Sequence, residues 1–182
     1  MGKLILFNKP YGVLCQFRAA DGVPTLADYI DVKKVYPAGR LDKDSEGLVI
    51  LTDDGSLQAR ISHPRFKQPK TYWTQVEGVI TEDAMARLRA GVVLGDGKTR
   101  SAVVSVLTHV NLPARQPPIR VRKSIPDSWV AITLTEGKNR QVRRMTAAVG
   151  FPTLRLFRYR IGDWNTDGIQ PGDYRLIDPG NG

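Results

Sequence analysis

The run Leu48-Val49-Ile50-Leu51-Thr52 constrains the chain more than any other stretch, because an apolar segment of strand length without polar alternation must be buried on both faces. Such a strand lies inside a sheet and forms a rigid support. Directly before it stands Gly39-Arg40-Leu41-Asp42-Lys43-Asp44-Ser45-Glu46-Gly47, a compact polar turn whose side chains the strand would hold in place. That junction is where chemistry is expected, and Asp42 is the group singled out.

The remaining pattern alternates short strands with isolated helices. Leu4 to Phe7 reads as a strand ending in the turn Asn8-Lys9-Pro10-Tyr11-Gly12, Leu26 to Ile30 as a short helix, and Val35 to Tyr36 as the start of a strand. Asp53-Asp54-Gly55 offers an N-cap for a helix over Ser56 to Ser62, stopped before Pro64. Tyr72 to Glu77 reads as a strand. Thr81 caps a helix running to Ala90, with acidic residues in its first turn and Gly91 as its stop. Gly95-Asp96-Gly97 reads as a hairpin turn, and strands over Thr99 to Val110 and Trp129 to Thr135 are expected to pair. Between those two, Asn111 to Ser128 is a proline-rich basic excursion with Arg115, Arg120, Arg122 and Lys123, read as a loop or edge hairpin. Lys138 to Val149 is a helix closed by Gly150, and strands follow over Leu154 to Ile161 and Tyr174 to Ile177. Without regular strand-helix-strand alternation, this is an α+β fold on a mixed, mostly antiparallel sheet with helices packed on it. A length of 182 residues fits one domain over 1–182, with two lobes around one continuous sheet.

The net charge of +9 points to a polyanionic partner, nucleic acid before an anionic membrane surface. Cys15 is the only cysteine, which excludes an internal disulfide or a thiolate metal cluster and fits a reducing compartment. The apolar run at the N-terminus is too short for a signal peptide or a membrane span, so a cytoplasmic location is expected. His63 and His109 stand alone, as structural or surface residues, and no metal is expected. Asp42 to Gly47 resembles half of a calcium loop, but position twelve would be Asp53 and the flanks read as strand. Gly97-Lys98-Thr99 resembles the end of a phosphate loop, but Val92 stands where its first glycine is required.

What remains is a carboxylate and many arginines. On the helix from Lys138, Val142, Met145 and Val149 form one stripe, Arg140 and Arg144 lie opposite, and Arg143 falls at the flank, where it can turn towards a carboxylate. On the next strand Arg158 and Arg160 share one face and Arg155 the other. With Lys67, Lys70 and the excursion, these segments could line a groove, with Phe66, Tyr72 and Trp73 as stacking surfaces.

Taken together, Asn8 to Leu14, Gly39 to Gly55, Lys70-Thr71-Tyr72, Glu136 to Met145, Leu154 to Gly162 and Pro171 to Leu176 resemble the pseudouridine synthases of ribosomal RNA. The blocks occur in order over nearly the whole chain. In starting almost at the catalytic core, without a leading S4-type RNA-binding domain, the sequence is most similar to short members acting on large-subunit RNA. The family's helix commonly reads His-Gln where this one has Arg140-Gln141, so no role of that histidine carries over.

The resemblance implies a pseudouridine synthase fold with a central RNA-binding catalytic cleft. It implies isomerisation of uridine to pseudouridine in ribosomal RNA, 23S foremost and 16S as the alternative, by a flipped nucleotide and without cofactor or metal. Asp42 matches the family's catalytic aspartate, which either attacks the sugar or takes a proton from it. Tyr72 matches the tyrosine that packs on the base, and Arg143 the basic residue that pairs with the aspartate. RNA contacts are expected from Arg40, Lys70, Lys138, Arg140, Arg144, Arg155 and Arg158. The implied partner is ribosomal RNA or a pre-ribosomal particle, bound by a monomer without membrane association. A non-catalytic RNA-binding assembly factor is the rival reading.

Overall fold

The computed structural model describes residues 2–120 and 124–177; Arg122 and Lys123 of the basic excursion lie outside the described residues. The chain opens with β1 (Leu4–Lys9), β2 (Tyr36–Pro37), β3 (Glu46–Thr52) and helix α1 (Gly55–Ser62). It continues through β4 (Lys70–Glu77), α2 (Glu82–Ala90), β5 (Val93–Leu94), β6 (Gly97–Lys98), β7 (Val103–Leu107), β8 (Asp127–Leu134) and α3 (Gln141–Ala148). The last strands are β9 (Thr153–Ile161), β10 (Trp164–Asn165) and β11 (Tyr174–Ile177). This is the expected α+β class, a mixed, mostly antiparallel sheet with three helices among the described residues. The chain divides into two compact units, Met1–Gln68 with Arg158–Gly182, and Pro69–Phe157.

In the first unit β1 pairs antiparallel with both β3 and β11, and all seven residues of β3 are buried. The double burial read from the sequence is real and has two distinct coverings. Leu48 and Ile50 pack with Leu4, Leu6 and the α1 residues Leu57 and Ile61, while Val49 and Leu51 pack with Ile5, Phe7, Leu26, Ile30 and Leu41. A helix covers one face and irregular chain the other. At about 1.5–3 kcal/mol for each large side chain buried, this sandwiched strand contributes several kcal/mol to the unit's stability.

Helix α1 starts where expected, because the Asp54 carboxylate accepts hydrogen bonds from the Ser56 and Leu57 N–H groups at 2.9 and 3.2 Å. The helix expected at Leu26 to Ile30 is instead one 3₁₀ turn, Leu26–Asp28, closed by a reciprocal cap between Thr25 and Asp28. Its short length serves the core, since Leu26 and Ile30 both join the same cluster.

In the second unit β8 pairs antiparallel with β4 and β7, bringing Tyr72 opposite Ile132 and Ile132 opposite Val104. One core lies here, formed by Val76, Val104, Val130 and Ile132 of the strands with Met85 and Leu88 of α2 and Val142 and Met145 of α3. The expected pairing of the two long strands is present, but β7 has only five residues. Residues 99–102 are committed elsewhere: Thr99 Oγ1 accepts the Val92 N–H at 2.8 Å, and the Ala102 N–H donates to the Arg89 carbonyl at 3.1 Å. The hairpin expected at Gly95 to Gly97 joins β5 and β6. Helix α3 begins at Gln141 and not at Lys138, because Arg140 has a left-handed backbone (φ 52°) that breaks the helical path.

Candidate active site

The Asp42 turn is built from its buried ends inward. Leu41 on one side belongs to the core and Ser45 and Glu46 on the other are buried, so half-buried Asp42 stands on a short fixed arch. The arch closes on itself through the Ser45 N–H donating to the Asp42 carbonyl at 3.1 Å. The Lys43 carbonyl then accepts the Gly12 N–H at 2.8 Å and the Lys9 ammonium at 3.3 Å, tying the turn to the one after β1.

Lys9 is 0% exposed, and its Nζ also donates to the Val13 and Pro10 carbonyls at 2.9 and 3.0 Å. Burial pulls its pKa down from 10.5 to about 8, opposed by the carboxylates of Glu46 and Asp44. At the start of β3, Gly47 has φ 110°, and a Cβ there would overlap the Arg158 backbone, so only glycine lets the strands approach. Arg158, 3% exposed, donates from Nε to the Leu48 carbonyl at 2.9 Å, while its Nη2 has no hydrogen-bond partner among the described residues. It braces β3 from within; its charge is not presented to solvent as a phosphate contact would require. Lys9 was visible only as part of an Asn-Lys-Pro turn, and nothing in that turn announced its depth.

In the second unit Tyr72 lies half-buried near the start of β4, packed against the core that includes Val142 and Met145. Lys70 opens the same strand. The loop before α3 is organised by buried Gln141, whose amide nitrogen donates to Glu136 at 2.7 Å and whose oxygen accepts the Lys138 N–H at 3.1 Å. Glu136 in turn accepts the Arg100 N–H at 2.7 Å. This polar knot holds Gly137 to Arg140 against the unit and leaves Arg140 exposed at the helix start. Sequence reasoning assigned no role to Glu136 and Gln141; their five-residue spacing across a glycine was the available signal.

The expected basic residues therefore differ in setting. Arg40 and Arg140 are exposed, Lys70, Lys138 and Arg143 half-buried. Arg144 forms a forked ion pair with Asp96 of the β5–β6 hairpin, at 2.9 and 3.3 Å, which holds that carboxylate below its usual range. Arg155 is buried and donates to the Pro113 carbonyl at 2.9 Å, pinning the proline-rich excursion to β9. The structure places Tyr72, Lys70, Lys138, Arg140, Arg143 and Arg144 in the second unit, and Asp42, Arg40 and Arg158 in the first. His63 caps the turn that follows it, its Nδ1 accepting the Arg65 N–H at 3.2 Å, while its ring stays exposed. The would-be calcium loop runs into β3 at Glu46, and no cluster of three metal-ligating side chains occurs among the described residues.

A family profile described as RNA pseudouridylate synthase matches residues 3–148. The chain is 56% identical over 175 residues to a protein named ribosomal large subunit pseudouridine synthase E from Vibrio parahaemolyticus, covering 96% of this chain and 74% of that one. A protein of the same name from Xanthomonas axonopodis pv. citri is 57% identical over 171 residues, covering 92% and 90%. Among solved structures, one described as a pseudouridylate synthase superposes with a TM-score of 0.82 at 31% identity, covering all of this chain and 72% of that one.

Proposed function

The chain belongs to the RNA pseudouridylate synthase family, and from that membership we propose that it converts uridine to pseudouridine in large-subunit ribosomal RNA, with Asp42 as the catalytic carboxylate. The reaction is an isomerisation. The bond between uracil N1 and ribose C1′ breaks, the base turns, C5 bonds to C1′, and the proton lost from C5 is balanced by one gained at N1. No electron acceptor or second substrate enters that balance.

The observation that carries the reading is the arch under Asp42, held by core residues at both ends, by the Gly12 backbone N–H and by the ammonium of buried Lys9. A carboxylate so fixed loses little freedom when a nucleotide meets it. Asp42 acts at the ribose, by attack on C1′ or by taking a proton from the sugar. Tyr72 packs on the uracil and serves the C5 proton, and Arg143 takes the part of the family's basic residue that serves the catalytic carboxylate. Because a stacked uridine hides its glycosidic bond, the nucleotide is flipped out before reaction.

Arg40, Lys70, Lys138 and Arg140 are the side chains assigned to the flanking phosphates. Arg144 joins them when Asp96 yields, while Arg155 and Arg158 support the strands from which these contacts are made. The reading extends to a monomeric enzyme working in the cytoplasm on 23S RNA or on the assembling particle that contains it. A net charge of +9 suits that polyanion, and no helix among the described residues is long and apolar enough to cross a membrane.

The test is tritium release from C5-labelled uridine in large-subunit RNA by the purified protein, alongside small-subunit RNA. Release from the large-subunit RNA alone is expected; release only from the small-subunit RNA would overturn the substrate assignment. Arg140→Ala is expected to weaken binding and flatten the salt dependence by about 0.7 of a logarithmic unit per unit, the value for one single-strand phosphate contact.

A further inference from the structure

Helix α1 presents a face that the chemistry above does not use. Leu57 and Ile61 point into the core, leaving Ser56 and Ala59 away from it and Arg60 at the flank, with His63 following as the extended C-cap. The 3₁₀ turn Pro64–Phe66 follows at once, and left-handed Lys67 (φ 48°) turns the chain back, so that Phe66 stands 39% exposed. The Arg65 guanidinium lies 4.6 Å from the Phe66 ring centroid, and the His63 ring meets that ring edge-on at 6.4 Å.

Two concavities flank this aromatic. One, of about 490 Å³, is walled by Ala59, His63 and Arg65; the other, of about 200 Å³, by Ile61, Gln68 and Trp164. Arg60 and Phe66 belong to both walls. We propose that this face is a second RNA contact, a stacking site for unpaired nucleobases in the concavities beside Phe66 and the Arg65 guanidinium that lies over its ring, with a phosphate on Arg60. The inference rests on the RNA-substrate reading and adds to it a site outside the Asp42 turn.

The occupant follows from the composition of the walls. Flat rings alternate with guanidinium groups, Arg60 and Arg65 supply positive charge, and neither concavity has an acidic residue in its wall. A greasy helix would meet too many cations here. A single strand of RNA offers a π-face and a negative charge at each step, which is the complementary pattern. Gln68 and His63 add polar edges that bases, unlike aliphatic side chains, can answer.

The probe is decaadenylate, which contains no uridine and so cannot be engaged as substrate. Its affinity for the intact protein is read by fluorescence anisotropy at several salt concentrations. Phe66→Ala and Phe66→Leu are each expected to weaken binding about tenfold, Leu controlling for lost apolar volume, while Phe66→Trp keeps or tightens it. Arg60→Gln is expected to lower the salt slope by about 0.7. Unchanged decaadenylate affinity in both Phe66→Ala and Phe66→Leu overturns the proposal. So does an effect of Phe66→Ala confined to a glutamate-rich peptide, which would make the face a protein-docking surface. Failure of the wild-type protein to isomerise uridine would sink the catalytic reading instead, and leaves the decaadenylate result to stand or fall separately.

Discussion

Strand β3 of the first unit and strand β8 of the second differ in how they are covered, and the difference separates a strand fixed on both faces from one fixed on a single face. Every residue of β3 is buried, with Leu48 and Ile50 in one core and Val49 and Leu51 in another. In β8 only Val130, Ile132 and Leu134 are buried, on alternate positions facing α2 and α3. Its other side carries half-buried Trp129, Ala131 and Thr133, with the Thr133 hydroxyl paired to that of Thr71 at 2.8 Å. A strand fixed on both sides suits the placement of one carboxylate. The freer face is shared by Thr71 and Trp73 of β4, which pair with Thr133 and Ala131, whereas Tyr72 and Lys70 lie in register with Ile132 and Leu134 on the covered face, so that the core beneath holds Tyr72.

The comparison is broken most easily at Lys9, which carries the β3 end of the argument. Lys9→Ala removes a fully buried side chain and leaves three carbonyls without its ammonium, so a loss of about 3 kcal/mol is expected in urea unfolding. A loss below about 1 kcal/mol would mean that the turn is not held from beneath. The same residue sets a pH dependence. The unfolded chain keeps the Lys9 proton to its ordinary value of 10.5, whereas the folded chain releases it near 8, so the unfolded state binds more protons in that window. Stability of the wild type relative to Lys9→Met should therefore rise with pH between about 8 and 10.5, by up to about 3 kcal/mol. A falling difference would contradict the burial.

Smaller effects sharpen the contrast. Val49→Ala in β3 is expected to cost about 2 kcal/mol, and Thr133→Val on the open side of β8 about 1 kcal/mol through the lost hydroxyl pair. Equal costs would remove the distinction between the two strands. Smallest is Asp96→Ala, which releases Arg144 from its ion pair. A modest gain in RNA affinity with a steeper salt slope is expected; no change would place Arg144 away from the RNA.

How much of this was legible in the sequence depended on whether the signal was local. The buried strand, the Asp54 and Thr81 caps, the Gly91 stop and the Gly95 to Gly97 hairpin each follow from a short pattern, and each is present. Arg158 was different. Alternation gave the face it shares with Leu156 but carried no information on depth, and the long-range bond to Leu48 decides its setting. The left-handed turn at Arg140 was equally hidden, since neither glycine nor asparagine marks it and the Gln141 knot imposes it. In the candidate site, Asp42 stood out through its neighbours, whereas Tyr72 and Arg143 were identified through resemblance to a family and not through spacing.

The central claim is that the carboxylate on the held arch performs the isomerisation. Tritium release by Asp42→Asn and Asp42→Ala, measured beside RNA affinity for the same preparations, tests it most directly. Turnover reduced by about 10³-fold or more with affinity within a few-fold of wild type is the expected result. Pseudouridine formation at the wild-type rate by well-folded Asp42→Ala would contradict it.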